Sequence, residues 1–75
     1  MTLLNLNPGD EAVILHVNTI SNFNQRLRAL GIYIGSCVKL IRKGNFSGPL
    51  HIRIGTTDII LRRNQADQIQ IKLLP

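Results

Sequence analysis

The chain has 75 residues, nine Lys/Arg against four Asp/Glu for a formal net charge of +5, and a single cysteine. That length allows one domain with a compact aliphatic core burying roughly 60% of the unfolded surface, and little room for a deep catalytic cleft with its own supporting shells. One cysteine excludes an internal disulfide framework, and no stretch approaches the roughly 18 apolar residues of a membrane-spanning helix.

The N-terminus lacks a basic region followed by an apolar run, so the expectation is a cytoplasmic chain without a signal peptide. The positive balance admits an anionic partner: nucleic acid, an anionic membrane surface or an acidic protein face. The cations are dispersed, with Arg42-Lys43 and Arg62-Arg63 as local pairs, and a solubilising basic surface explains them equally well.

In chain order, Met1–Asn7 reads as a lead-in whose Leu3, Leu4 and Leu6 cover one end of the core. Asn7-Pro8-Gly9-Asp10 is a dense turn signal, because Pro presets φ and Gly tolerates φ > 0. Glu11–Val17 is the first strand. Val13, Leu15 and Val17 alternate with Ala12, Ile14 and His16; both sets are mostly apolar, so one face is expected against the core and the other against a covering element.

The stretch 21–36, SNFNQRLRALGIYIGS, carries the helix signal of the chain. Phe23, Leu27 and Leu30 fall at i, i+4, i+7 and make one narrow apolar stripe. Ser21 or Asn22 supplies the N-cap, with Gln25 three residues after Asn22 as in a weak capping box. Gly31 at C′ ends the helix, Ile32 at C″ is placed to pack back on Leu27, and Gly35 makes a second break.

Cys37–Lys43 is the second strand, and Ile41 interrupts its alternation, as a bulge or strong curvature would. A six-residue loop, Gly44 to Pro49, carries Phe46 either as an exposed aromatic or as a lid over the core. Leu50–Ile54 is a strand with Leu50, Ile52 and Ile54 on one face and His51 and Arg53 on the other. Gly55-Thr56 is a tight hairpin turn into Asp58–Leu61. Residues 62–67 have room for one helical turn, and Gln68–Lys72 closes the set with Ile69 and Ile71 inward. Short strands separated by turns point to a small all-β domain over residues 1–75, a closed or nearly closed antiparallel barrel with one short helix after the first strand.

Side chains with chemistry are few. His16, His51, Cys37, Asp10, Glu11, Asp58 and Asp67 show no metal-ligand spacing, so the histidines are expected at the surface and the thiol buried. No acid orients a Cys–His pair, and no phosphate-cradling glycine motif appears. Nucleic-acid binding by base stacking would rely on Phe46 and Tyr33. Tyr33 and Ile34, on the turn after the helix, are either an exposed contact patch or plugs of the barrel end.

Four segments in order resemble the FeoA family, the small cytoplasmic component of bacterial ferrous iron uptake: Leu6-x-Pro8-Gly9-Asp10, Arg26-Leu27-x-x-Leu30-Gly31-Ile32-x-x-Gly35, Pro49-Leu50-x-Ile52, and Leu61-Arg62-Arg63-x-x-Ala66-x-x-Ile69-x-Ile71. Two places depart from the family pattern: Ile34 stands where it usually has proline, and Phe46-Ser47-Gly48-Pro49 where it usually has leucine-glycine-aspartate-proline. The resemblance implies an SH3-like barrel of five to six antiparallel strands, free-standing rather than the C-terminal domain of an iron-dependent repressor. It further implies a non-enzymatic adaptor of the membrane transporter FeoB, engaging its cytoplasmic GTPase part and meeting the membrane only through it, with no resident cofactor.

The helix–turn region is the expected contact, with Arg26, Leu27, Arg28, Tyr33 and Ile34 as candidates. Arg26, Arg28, Arg62 and Arg63 are all available as a projecting arginine, and no feature selects one. The competing readings are a basic nucleic-acid-binding barrel and a module that binds a transition-metal ion directly.

Overall fold

The computed structural model describes residues 1–18 and 21–75, with the backbone alone for 21–24. Among these residues, five strands form one antiparallel sheet in the order β4-β3-β2-β1-β5. In the chain they run β1 (Glu11–Val17), α1 (Ser21–Ala29), β2 (Cys37–Lys43), β3 (Leu50–Ile54), β4 (Thr57–Leu61), α2 (Arg63–Ala66) and β5 (Ile69–Leu73). No helix in the described residues is long and apolar enough to cross a membrane.

Two β-bulges curve the sheet. The β2–β3 register shifts between Leu40 and Arg42, which makes Ile41 the extra residue, where the alternation breaks in the sequence. A second shift between Ile14 and His16 leaves Leu15 unpaired against β5. An extra residue bends its strand and increases the local right-handed twist, which rolls a five-stranded sheet toward a barrel. The chain then passes from β4 to β5, the two ends of the sheet, through the single turn of α2, whose Ala66 is fully buried.

The core is aliphatic throughout the described residues. Ala12 and Ile14 of β1, Val38 and Leu40 of β2, Leu50 and Ile52 of β3, Ile59 and Leu61 of β4, and Ile69 and Ile71 of β5 are buried, each pair at the period of two that a strand dictates. Leu27 and Ile32 enter from the helix side, and Leu3 and Leu6 from the lead-in.

The lead-in is more ordered than its composition suggests. Leu3–Asn5 forms a 3₁₀ turn in which Thr2 Oγ1 accepts the Leu4 N–H and Asn5 Oδ1 accepts the Thr2 N–H at 2.8 Å. The turn is pinned from outside as well: Lys43 Nζ donates to the Leu4 carbonyl at 2.7 Å, and the Ile71 N–H to the Met1 carbonyl at 2.9 Å.

Several expectations need correction. Among the described residues the outward face of β1 has no covering element at Leu15: Ala12 and Ile14 point inward, so alternation turns Leu15 out, and it is 50% exposed. Strand β4 begins one residue early, at Thr57, since Thr57 pairs with Ile54 across the hairpin, and β5 is shifted one residue on, to Ile69–Leu73. Cys37 is exposed rather than buried; the inward positions of β2 are Val38 and Leu40, so Cys37 falls on the other face. Of the helical stripe, Leu27 is buried but Leu30 is not, because Leu30 lies beyond the last helical residue and is 46% exposed. The expected N-cap at Ser21 or Asn22 and the Phe23 end of the stripe lie outside the described side chains.

The end of α1 is well defined. Gly31 has φ +98 and donates its N–H to the Arg28 carbonyl at 3.0 Å, while the Ile32 N–H reaches the Leu27 carbonyl at 2.8 Å. This pair of bonds is the Schellman arrangement, which requires a residue tolerant of φ > 0 at C′. A Cβ at Gly31 would stand 3.3 Å from Ile54 Cγ2, so a side chain there meets both backbone strain and core crowding. Gly31→Val is therefore expected to cost about 2 kcal/mol, lowering the melting temperature by about 10 °C or more. Thermal unfolding followed by circular dichroism checks this; an unchanged transition would contradict the cap assignment.

Candidate functional site

Ile32 points into the core, and the next two residues cannot follow it. Tyr33–Ser36 is a four-residue turn in which the Ser36 N–H donates to the Tyr33 carbonyl at 3.0 Å and Gly35, at its third position, has φ +91. Positive φ at that position alone is type II geometry. The Ser36 hydroxyl donates to the same Tyr33 carbonyl at 2.8 Å. Two backbone bonds clamp the turn to β1: Gly35 N–H to the Ile14 carbonyl at 2.7 Å, and Ile14 N–H to the Ser36 carbonyl at 2.9 Å.

On this fixed turn Tyr33 is 48% and Ile34 66% exposed, so neither is a plug of the barrel end. Ile34 occupies the second turn position, where proline would preset φ. Together with His16, Val17, Arg28 and the edge of Ile32 they line a shallow pocket of about 220 Å³. This surface is aliphatic and aromatic with one cation beside it.

The five contact residues expected from the sequence therefore separate. Arg28, Tyr33 and Ile34 share this pocket. Leu27 is 1% exposed and belongs to the core, so it supports the surface from beneath. Arg26 lines a different, larger groove that also contains Arg62 and Arg63. The sequence shows Arg62-Arg63 as a local pair, but nothing local to either segment signals their meeting with Arg26.

The loop after β2 is resolved in favour of exposure, as Phe46 is fully accessible. Phe46 and Ser47 both have φ > 0, at +53 and +65, and the Gly48 N–H closes on the Asn45 carbonyl at 3.0 Å. Two successive positive φ values define a type I′ turn, normally built from Asn and Gly, so this one holds bulky and β-hydroxyl residues under strain.

On the outer face of β3 and β4, Asp58 is gripped from two sides. Arg53 donates from Nε to Oδ1 at 2.6 Å and from Nη2 to Oδ2 at 3.1 Å, and His51 Nε2 lies 2.9 Å from Oδ2. The Arg53 hydrogen bonds, then the His51 contact, hold the Asp58 carboxyl well below its ordinary 3.8, at about 2. Across the described residues, no three His, Cys, Asp or Glu side chains gather to hold a metal ion.

Fold and surface together define a small SH3-like all-β module with an exposed apolar turn. The FeoA domain model matches residues 1–73, and the chain belongs to that family. It is 30% identical over 74 residues to an Fe(2+) transport protein A/Fe(2+) transporter FeoB fusion protein of Porphyromonas gingivalis, covering 99% of this chain but only 9% of the fusion. It is 27% identical to a putative Fe(2+) transport protein A of Campylobacter jejuni, covering 99% of this chain and all of that one. Among solved structures, Stenotrophomonas maltophilia FeoA, an SH3 domain protein complexed with zinc, is 33% identical with a TM-score of 0.81, over 96% of this chain and 89% of that one.

The depressed Asp58 value sets a pH dependence. A carboxyl whose folded value lies below its unfolded one stabilises above the unfolded value and loses that contribution as pH falls toward the folded one. The loss therefore falls between about pH 4 and about 2. Asp58→Asn is expected to flatten that part of the stability–pH profile, and an NMR titration of the Asp58 carboxyl in Arg53→Ala to move toward the ordinary range. A carboxyl titrating normally in the unmutated protein would contradict the geometry.

Proposed function

We propose that this chain is an accessory protein of ferrous iron uptake that acts by binding, without catalysis of its own, to the cytoplasmic GTPase part of a FeoB-type transporter. The observation that carries this reading is the relative in which a domain 30% identical to this chain across 99% of its length is covalently joined to FeoB. Joining two polypeptides holds them at a high effective concentration, which is useful where the two must meet repeatedly through a modest surface. The Tyr33–Ile34 turn suits such a contact. It is exposed and apolar, and its two bonds to β1 mean that little conformational entropy is lost on docking.

Calorimetric titration of the protein into the isolated cytoplasmic domain of its cognate transporter tests the proposal. Binding is expected, and Ile34→Asp is expected to weaken it about tenfold or more while leaving the melting temperature within about 2 °C, because the side chain is mostly exposed. A parallel titration with RNA and DNA at increasing salt separates the alternative: strongly salt-sensitive nucleic-acid binding with no transporter contact would overturn the adaptor reading.

A further inference from the structure

We infer that the groove shared by Arg26, Arg62 and Arg63 is a second binding surface, and that its ligand is an acidic polypeptide segment carrying at least one apolar side chain. The groove is open on one side and about 860 Å³ in volume. Arg26 reaches it from α1, Ser47 and Pro49 from the loop between β2 and β3, Ile60 from β4, and Arg62 and Arg63 from the α2 segment. No carboxylate lines it. Asp58 is engaged by Arg53 and His51, and within the described residues no ion pair reaches any of the three groove arginines.

The arrangement is built rather than incidental. Arg63 Nε donates to the Gly48 carbonyl at 3.1 Å in a partly buried position, tying the α2 segment to the strained Phe46–Ser47 turn. That bond fixes the base of one guanidinium and leaves its outer nitrogens for a ligand. Ile60, 62% exposed, gives the lining an aliphatic element, and Phe46 stands fully exposed one residue from Ser47. Backbone strain of this kind persists where the surroundings enforce it and collects at binding sites.

Three planar guanidiniums around one groove repel each other and match carboxylates, which they bind in paired hydrogen bonds. The volume and openness of the groove favour a chain that brings several carboxylates over a single small anion, which would fill little of it and stay solvated. Single-stranded nucleic acid stacks successive bases on aromatic side chains, whereas the groove lining is aliphatic and polar and the neighbouring Phe46 stands outside it. Ile60 selects for an apolar residue between the acids.

The test needs no transporter, so its outcome is independent of the adaptor reading. A short synthetic peptide of alternating Asp and Glu around a central leucine is titrated into the ¹⁵N-labelled full chain. Amide shifts are expected at Ser47, Ile60, Arg62 and Asn64 and not at Leu15 or Tyr33, with affinity falling steeply between about 0.05 and 0.5 M salt. Arg26→Glu and Arg62→Glu should each weaken binding about tenfold or more, and Arg28→Glu, across the helix, should not. Arg63 is left intact because its bond to Gly48 is structural. Absence of binding, shifts centred on Tyr33, equal binding of the Asn/Gln version of the peptide, or tighter binding of an oligonucleotide of equal charge would each overturn the inference.

Discussion

At the end of α1 the chain reverses on Gly31, and the Ile32 N–H returns to the Leu27 carbonyl at 2.8 Å. Leu27 and Ile32, the two residues joined by that bond, are both buried, so the reversal is held by core packing as well as by the cap. Its consequences run in both directions along the chain. Forward, burial of Ile32 leaves Tyr33 and Ile34 on the outside of a turn that is bonded to β1 at both edges. Backward, burial of Leu27 sets the rotation of the helix. Successive helical residues are about 100° apart, so Arg26 and Arg28 leave on opposite sides of the buried stripe. One therefore joins the apolar turn and the other the arginine groove.

Most of the sheet was legible because its core residues are β-branched or leucine at strict alternation, as in Leu50-His51-Ile52-Arg53. The bulge at Ile41 was legible too, since Lys39 and Arg42 flank Leu40-Ile41, two successive apolar residues where alternation allows one. The bulge at Leu15 was not, because Ala12 to Leu15 are apolar at every position and a slipped residue in such a run leaves no trace in the pattern. Leu30 fits the helical period and still faces out, because the helix has ended before it; periodicity does not report where a helix stops. The 3₁₀ turn at Leu3–Asn5 depends on Lys43 and Ile71, partners about forty and seventy residues away, and so has only a weak local signature. The arginine groove is the extreme case. It needs positions 26, 47, 60 and 62–63 on one side of the barrel, and that placement is a property of the finished topology.

The two turns at which the chain departs from the pattern of its family both contain positive φ, and the physics of each is different. At Ile34 the turn's second position accepts most residues, so replacing proline gives up preset φ but keeps the geometry, which Gly35 secures. What changes is the surface, which acquires an aliphatic side chain where a compact ring would otherwise stand. At Phe46 and Ser47 the turn demands φ > 0 from residues that disfavour it. The first departure is thus nearly free in backbone terms and alters chemistry, while the second costs stability and is sustained by the contacts around it, including Arg63 on the Gly48 carbonyl.

A domain this small has little surface to divide. A standard protein interface takes about 800 Å² from each partner, which is about a sixth of the 4850 Å² that this chain exposes. An apolar turn on one side of α1 and a basic groove on the other therefore fit without overlap, and the residue between them, Leu27, is committed to the core. Each surface alone is modest: a few exposed apolar side chains in one case, two exposed arginines and one partly buried arginine in the other. Modest surfaces suffice where the local concentration of partner is high, as when the domain is joined to a membrane protein in one polypeptide. Two surfaces of opposite chemistry also restrict the partner more than one of either kind. A ligand that engaged both would have to present an apolar contact and an acidic segment at a fixed separation across the helix, and a mismatch at either end would leave desolvated apolar area or unpaired cations.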